Sequence, residues 1–334
     1  MGKRRFLHRS LLAAAAVLAA GSAHALSPQD VFSKVQGAVW VVRAEHGAAP
    51  TMALGSAVAI APRLLITACH VVNGATGVTV ARDNGKRVVK IATVVHDPDH
   101  TRDLCLLSAN DDLGPTPAEI APIDQVKVGE HVYAIGAPLG LELSLTDGLV
   151  SSLRHLNNEP LPDIQFSAAI APGSSGGGLF DGDGRLIGVT VAIASKETDN
   201  LAFAYPAQWV MEVPARVDAA RKRWAAALSA NGVAVSDNGE ARGSGFAPLE
   251  NVQAVPTEGQ SPTGVKDAYK QYLMLDNPRA FVITSDGRWG TVSDADALDA
   301  IFKDCAARGV VCRLYAVDDQ VVWKTDAPQV GTSK

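Results

Sequence analysis

Between Val39 and about Ala207 the chain is a succession of short β-prone runs, each ended by glycine, proline, asparagine or aspartate. This spacing of strands and turns is typical of β-barrels and sandwiches. Eleven runs read as strands, which is more than one small sheet comfortably holds. They cover residues 39–43, 56–60, 64–67, 77–82, 87–95, 104–107, 131–135, 145–152, 164–167, 188–193 and 201–205. The proline-rich segment 115–122 indicates a connection between two halves.

The pattern changes after Pro206. Residues 207–230 follow a helical period, and Pro214 predicts a break within them. Residues 231–264 are rich in glycine, serine, proline and asparagine, which predicts a flexible linker. Residues 265–334 regain a pattern typical of a small α+β module. Its expected elements are helices near 266–274 and 293–308, a strand at 280–284, and a hairpin joining 310–317 to 321–323.

The first 25 residues resemble an export signal. Lys3, Arg4, Arg5 and Arg9 precede an apolar run over residues 11–20. Ala23-His24-Ala25 then matches an A-x-A cleavage site, so we expect a cleaved signal peptide at residues 1–25. The alternative, a membrane anchor, fits less well because spanning a bilayer takes about 20 apolar residues.

Charge and hydropathy narrow the range of partners. Removing the signal takes away four of the 30 basic residues and none of the 35 acidic ones, which moves the formal net charge from −5 to −9. An acidic mature chain argues against a nucleic-acid partner. The absence of any other long apolar run predicts no membrane association after signal removal. We therefore expect an exported protein, periplasmic if the source is a Gram-negative bacterium and secreted otherwise.

The segment from Ala171 to Leu179 carries the strongest chemical signal. It is a glycine-rich turn that presents Ser175 between two apolar stretches. Glycines allow backbone angles at which two N–H groups point at one oxygen, as an oxyanion hole requires. The alternative, a flexible Gly/Ser loop, would normally have polar flanks, whereas residues 164–170 and Leu179 are apolar.

A histidine and several acids are candidate partners for the serine. His70 follows the apolar run at 64–67, and Asp103 precedes the run at 104–107, but each alone is weak evidence. Asp97 and Asp99 are rival acids in a turn-like segment. That segment also suggests a metal site, but Pro98 prevents the helix that would align its two histidines, so we expect no metal there. We also expect no cofactor.

Together these three patterns resemble the trypsin-like serine peptidases, and specifically the bacterial HtrA/Deg branch. The resemblance covers residues 28–213 and includes stretches in the family's order at 132–140, 145–153, 163–170, 186–189 and 201–206. It implies a mainly β fold of two six-stranded antiparallel β-barrels over residues 26–213, divided near 115–125. Residues 214–264 would then be a helix and linker, and 265–334 a separate domain.

The resemblance also implies roles for residues. Ser175 would be the nucleophile, His70 the general base and Asp103 the carboxylate that orients it. The backbone N–H groups of Gly173 and Ser175 would form the oxyanion hole. The implied activity is cleavage of polypeptides, including unfolded or misfolded chains, in protein quality control.

Several positions depart from the family pattern. Ser174 stands where the digestive branch has an aspartate that pairs with a newly cleaved N-terminus, so we expect no zymogen cleavage beyond signal removal. Ser174 and Ala171 replace asparagines usual in the Deg branch, and Gly178 replaces a common proline, which predicts a looser turn. Residues 265–334 do not resemble the PDZ domain typical of the branch. They would be either a substrate or partner adaptor or a stabilising cap.

Substrate selection is expected from a pocket of apolar residues. Ala169 and Ile170 should form its base, with walls from residues 189–193 and 201–205, which include Val191 and Ala202. The absence of an acid there predicts small or medium apolar P1 residues. Selectivity should be modest, because one methylene in such a pocket is worth about 1 to 3 kcal/mol.

Four cysteines in an exported chain suggest disulfides. Cys69 precedes His70 and Cys105 follows Asp103 by two residues, so an assembled triad would make Cys69 and Cys105 neighbours. A disulfide there is the prediction, and two buried thiols are the alternative. Cys305 and Cys312 flank the end of a predicted helix, and their pairing would connect it to the next strand.

Two rival functions remain open at this stage. One is a catalytically impaired, peptidase-like binding protein, favoured by the altered serine turn. The other is an esterase, which would use the same acyl-transfer groups. The sequence leaves the oligomeric state undetermined.

Overall fold

The structure is a computed structural model of the 334-residue chain. It describes residues 26–47, 51–114, 116–155, 161–191, 202–257, 262–275 and 277–324. The predicted signal peptide at residues 1–25 lies outside the described residues.

Six antiparallel strands form a first closed barrel, ordered β1-β2-β3-β6-β5-β4. They are β1 (Val39–His46), β2 (Thr51–Ala61), β3 (Leu64–Ala68), β4 (Gly77–Arg82), β5 (Arg87–His96) and β6 (Leu104–Ala109). The interior is filled by aliphatic side chains around Trp40, which is fully buried. The Arg82 guanidinium lies 4.7 Å from the Trp40 ring centroid.

Six more antiparallel strands form a second closed barrel, ordered β10-β11-β12-β9-β8-β7. They are β7 (His131–Gly136), β8 (Ser144–Arg154), β9 (Asp163–Phe166), β10 (Gly178–Phe180), β11 (Leu186–Val191) and β12 (Ala202–Pro206). The predicted mainly β fold with two six-stranded barrels is therefore confirmed. Sequence reading missed β10, because a three-residue strand directly after a glycine-rich turn is too short to show alternation.

The two barrels share a buried core. Val58, Ile66 and Leu104 of the first barrel pack in one cluster with Ile135 and Val189 of the second. Helix α1 (Pro28–Val35) adds Val35 to the same cluster. Burial of this shared apolar surface fixes the barrels relative to each other, and residues at their junction therefore keep a defined geometry.

A helix connects the barrels to a C-terminal module. Helix α3 (Val213–Ala230) begins with Val213 in the shared core and places Trp224 and Leu228 in the core of the module. Pro214 stands in its first turn, where proline is tolerated, so the predicted break there is the start of this helix.

The C-terminal module is a four-stranded sheet with helices. Its strands are β13 (Ala280–Thr284), β14 (Trp289–Val292), β15 (Cys312–Val317) and β16 (Gln320–Val321), ordered β14-β13-β15-β16. Helices α4 (Pro262–Tyr272) and α5 (Ala295–Ala307) complete it. Cys305 and Cys312 form a disulfide between α5 and β15.

The segment 231–257 is packed against this module, so the prediction of a flexible linker was wrong for these residues. Val233, Ala241 and Val255 are buried in the two cores of the module. Ser244 N–H donates to the Val321 carbonyl at 2.8 Å. The apolar partners of this segment lie far away in sequence, so its local composition did not reveal them.

Among the described residues, no helix combines the length and the apolar character needed to cross a membrane.

Candidate active site

His70 and Asp103 meet at one end of the first barrel. His70 lies on the short helix α2 (Cys69–Val72), which begins where β3 ends, and Asp103 immediately precedes β6. Strands β3 and β6 pair antiparallel with Ala68 opposite Leu104, which brings the two residues together. Asp103 Oδ1 accepts the backbone N–H of His70 at 2.7 Å, and Asp103 Oδ2 lies 2.6 Å from His70 Nδ1. The carboxylate therefore contacts His70 at two points.

This contact changes the electrostatics of His70. The hydrogen bond to Asp103 raises the pKa of His70 above 6.5, and the negative charge of Asp103 acts in the same direction. Burial opposes both effects, and the imidazole remains half exposed. Asp103 therefore stabilises the imidazolium form of His70.

Asp103 adopts a conformation uncommon for a residue with a side chain. Its φ of 39° and ψ of 42° lie in the left-handed region. The preceding residue, Arg102, is buried, and its guanidinium lies 4.3 Å from the Trp209 ring centroid and 3.0 Å from Glu212. Arg102 therefore anchors the turn that presents Asp103 and connects it to the start of α3.

The rival acids are engaged elsewhere. Asp97 is buried and accepts a hydrogen bond from Arg216 at 3.1 Å. Asp99 accepts from the backbone N–H and the hydroxyl of Thr101 at 3.0 and 2.7 Å. Both acids hold the turn that precedes Asp103, and it is Asp103 that contacts His70.

The serine turn is attached to the first barrel through Ser56 of β2. The Ser56 hydroxyl donates to the Gly173 carbonyl at 2.8 Å and accepts from the Ala137 N–H at 2.9 Å. The Ser56 N–H donates to the Ser175 carbonyl, also at 2.8 Å. In the second barrel, Thr190 donates its hydroxyl to the Ser174 carbonyl at 2.8 Å. These buried contacts hold both ends of a turn that the sequence predicted to be loose.

The peptide that joins Pro172 and Gly173 in the same turn has a fixed orientation. Gly173 adopts φ 95°, which favours glycine, and within the described residues its N–H makes no hydrogen bond. The Pro172 carbonyl accepts from Leu139 N–H at 2.8 Å. Because a trans peptide directs its N–H opposite to its C=O, this bond points the Gly173 N–H away from Leu139.

Ser175 lies next to the helix that carries His70. Ser175 is 4% exposed. A Cβ added at Gly55 would meet the Val71 side chain at 2.4 Å and the Ser175 carbonyl at 3.2 Å. The absence of a side chain at Gly55 therefore lets the serine turn approach α2.

The Cys69–Cys105 disulfide braces the strand ends that carry Asp103 and His70. The predicted pair is bonded, with Cα atoms 4.9 Å apart. His96, the cross-strand neighbour of Cys105, places Nδ1 at 3.3 Å from the Cys105 sulfur. Sequence reasoning missed this contact because it depends on the register of β5 and β6. The side chains of Cys69, His96 and Cys105 have a metal-ligand arrangement, but the disulfide occupies both sulfurs.

A cavity of about 190 Å³ lies beside the serine turn, and its described lining has no charged side chain. The predicted residues Ala169 and Ile170 line it, whereas Val191 and Ala202 do not. Ala202 is buried opposite Phe166, and Val191 pairs with Phe203. Thr190 lies within the predicted wall at 189–193, but the rest of the lining was not predicted, because it depends on which residues of neighbouring strands share a face. This rest comprises Ala134, Ile135, Gly136, Pro138, Ser144, Thr146, Ala171 and Ser174.

Known peptidases are similar to the part of the chain that carries this geometry. The trypsin-like peptidase domain family matches residues 55–189, a stretch that contains His70, Asp103 and Ser175. The periplasmic serine endoprotease DegP of Escherichia coli (strain K12) is 34% identical over 173 residues, which cover 50% of this chain and 36% of that protein. Over about half of its length, the chain is similar to serine endoproteases of the HtrA type.

Other relatives of the HtrA type show the same extent of similarity. A probable periplasmic serine endoprotease, DegP-like, of Halomonas elongata is 33% identical over 153 residues, which cover 45% of this chain and 31% of that protein. The chain thus spans about a third of the length of these two curated relatives. The solved structure of the HtrA-type protease AlgW with a tripeptide has 30% identity and a TM-score of 0.50, covering 57% of this chain and 64% of that one.

Gly176 lies where the serine turn is closely fitted to the first barrel. Its φ is 84°, and an added Cβ would lie 2.1 Å from the Ser56 carbonyl oxygen and 2.3 Å from the Thr67 hydroxyl. We expect Gly176→Ala to lower the free energy of unfolding by at least about 3 kcal/mol, measured by urea denaturation, because strain and overlap add.

Gly74→Ala is the matched control. Gly74 has a similar φ of 68°, and nothing lies within 4 Å of its added Cβ. The left-handed backbone at Gly74 should then be the only cause of destabilisation, and it should lower the free energy of unfolding by about 1 to 2 kcal/mol. Equal losses in the two variants would show that the turn is not tightly fitted.

The raised pKa of His70 predicts how Asp103 shifts its titration. Followed by NMR, His70 should titrate above 6.5 in the wild type and at lower pH in Asp103→Asn. Because the folded-state pKa is raised, the contribution of the pair to stability is present at low pH and lost as pH rises through that pKa.

Asp147→Asn is the control, because Asp147 Oδ2 lies 3.2 Å from Nε2 of another histidine, His131. This substitution should leave the His70 titration unchanged. An unchanged His70 titration in Asp103→Asn would contradict the assigned cause of the shift.

Proposed function

We propose that the chain is an exported serine endopeptidase that cleaves peptide bonds through an acyl-enzyme, with Ser175 as nucleophile, His70 as general base and Asp103 as its orienting carboxylate. The observation that carries the proposal is the two-point contact of Asp103 with His70 beside a buried, glycine-flanked serine. The relatives named above are described as serine endoproteases.

The first step is proton transfer during attack by the serine. The Asp103 carboxylate accepts the Nδ1–H of His70, which leaves Nε2 as the proton acceptor. Nε2 takes the Ser175 proton as Oγ attacks the substrate carbonyl. His70 then donates that proton to the leaving amine, and water, activated in the same way, hydrolyses the acyl-enzyme.

The oxyanion formed in each step would be bound by the N–H groups of Gly173 and Ser175. Support comes from the Leu139–Pro172 hydrogen bond, which fixes the peptide that carries the Gly173 N–H, and from the Ser56–Gly173 bond on its other side. Donors that are fixed before the reaction stabilise developing charge without reorganisation.

The cavity beside the serine turn would bind the P1 side chain. Its size and its uncharged lining, including Ala169 and Ile170, favour small or medium apolar residues. Thr146 lines it too, but its hydroxyl already donates to the Ala169 carbonyl at 2.7 Å. The lining therefore offers little to attract a charged P1 side chain.

Location and substrates follow from the predicted signal and from the relatives. Two relatives are named as periplasmic endoproteases, and AlgW was solved with a tripeptide. We propose that this chain acts outside the cytoplasm on polypeptides, including unfolded or misfolded ones, as a quality-control protease. Residues 26–213 would be the catalytic unit.

The C-terminal module would begin earlier than the sequence suggested. Because residues 231–257 pack into its cores, we propose that the module starts where α3 reaches it, and not at residue 265. Trp224 of α3 donates its indole N–H to Asp318 at 3.3 Å, which adds a polar contact to this junction. An adaptor role and a stabilising role are both compatible with this packing.

A fluorophosphonate probe tests the mechanism. The wild type should be labelled at Ser175 and should cleave casein, and Ser175→Ala should lose both properties. Loss of casein cleavage by about 10³-fold or more is expected, because removing any member of a triad leaves only residual catalysis.

Ser174→Ala is the matched control, since it removes the neighbouring hydroxyl and should retain labelling. Labelling that survives in Ser175→Ala would refute the mechanism. A wild type that is never labelled would favour the peptidase-like binding protein, and cleavage of simple esters without casein cleavage would favour an esterase.

A further inference from the structure

An exposed apolar surface extends from the serine turn to the edge of the first barrel. It comprises Met52 and Leu54 of β2 with Leu139 and Leu141 of the turn that follows β7, and we call it the apolar strip. These side chains are 53%, 39%, 66% and 64% exposed, respectively. In the described part of the chain, twelve large hydrophobic side chains are at least 39% exposed, and four of them lie in this strip.

Strand geometry connects the strip to the serine turn. Side chains alternate along a strand, so Met52, Leu54 and Ser56 share one face of β2. Ser56 is the residue that binds the Gly173 carbonyl. The face of β2 that contacts the serine turn therefore also carries Leu54 and, farther along the strand, Met52.

The two halves of the strip are in contact. A Cβ added at Gly140 would lie 2.7 Å from Leu54 Cδ1, so the Leu54 side chain packs against the turn that carries Leu139 and Leu141. That turn is also attached to the serine turn, because Leu139 N–H donates to the Pro172 carbonyl. The strip is thus one continuous surface that reaches the candidate active site.

The position of the strip indicates which part of a substrate would cover it. Gly55, next to Leu54, lies against Val71, the residue that follows His70, and against the Ser175 carbonyl. His70 would donate its proton to the leaving amine, so the substrate segment after the cleaved bond passes on the side of His70. The candidate P1 cavity is lined by Pro138, so the turn at 138–141 carries one residue of the cavity and two residues of the strip.

We propose that the apolar strip binds the first two or three substrate residues after the cleaved bond and selects large apolar side chains there. This inference rests on the proposed function. Exposed aliphatic surface beside a reaction site is stabilised when an apolar side chain displaces its water. The enzyme would then recognise apolar residues on both sides of the cleaved bond, a pattern exposed in unfolded chains and buried in folded ones.

The test uses two fluorogenic peptides that share a small apolar P1 residue and differ only after the cleaved bond, with two leucines in one and two glycines in the other. The wild type should cleave the leucine peptide with a kcat/KM at least about tenfold higher. Leu54→Ser and Leu141→Ser should each reduce this ratio to about threefold or less, because each removes apolar surface from the strip.

Val128→Ser is the matched control. Val128 is 61% exposed, like the strip residues, but lies in the segment before β7 and outside the strip. This variant should keep the wild-type ratio. The rate of fluorophosphonate labelling at Ser175 should be the same in all variants, because the probe has no residues after the reacting centre and reports an intact fold.

The outcomes separate this inference from the proposed function. If a wild type that is labelled at Ser175 cleaves both peptides equally, the proposed role of the apolar strip is wrong, whereas the proposed endopeptidase function is retained. A preference for leucine that survives in both strip variants also overturns it. If the wild type is neither labelled nor able to cleave any peptide, the proposed function is wrong, and the proposed role of the apolar strip is wrong as well.

Discussion

The geometry of the site depends on one buried hydroxyl, that of Ser56. His70 and Asp103 belong to the first barrel and Ser175 to the second, so their alignment requires a fixed contact between barrels. Ser56 provides it, because its hydroxyl binds Gly173 and Ala137 and its N–H binds the Ser175 carbonyl. Leaving such buried partners unpaired costs about 1 to 3 kcal/mol each, which favours a single arrangement of the serine turn.

The acid side of the site is fixed by a different set of contacts. Asp103 is held in a left-handed conformation between β6 and a turn anchored by the buried Arg102. Strain of this kind persists only where the surroundings impose it. Through Glu212 and Arg216 the same turn contacts the start of α3, whose other end is buried in the C-terminal module. The module is thereby connected to the candidate site through packed structure.

The sequence predicted those features whose signal is local. Ser175 lies in a glycine-rich turn with apolar flanks, and His70 and Asp103 adjoin apolar strands, so the fold and the candidate triad residues could be named. The role of Ser56 could not, because a serine in a strand has no local signature, and its partners are 81 and 117 residues away. Thr146 in the cavity and Val233 in the supposed linker were missed for the same reason, since register and distant packing decide their surroundings.

A crystal structure of the protein labelled with a fluorophosphonate would show the arrangement of the site around a reacting group, because the phosphonyl oxygen occupies the position of the oxyanion. We expect an adduct on Ser175 whose oxygen lies about 2.7 to 3.1 Å from the N–H nitrogens of both Gly173 and Ser175. His70 Nδ1 should remain bonded to Asp103. An adduct on another residue, or an oxygen directed into solvent away from Gly173, would contradict the proposed mechanism.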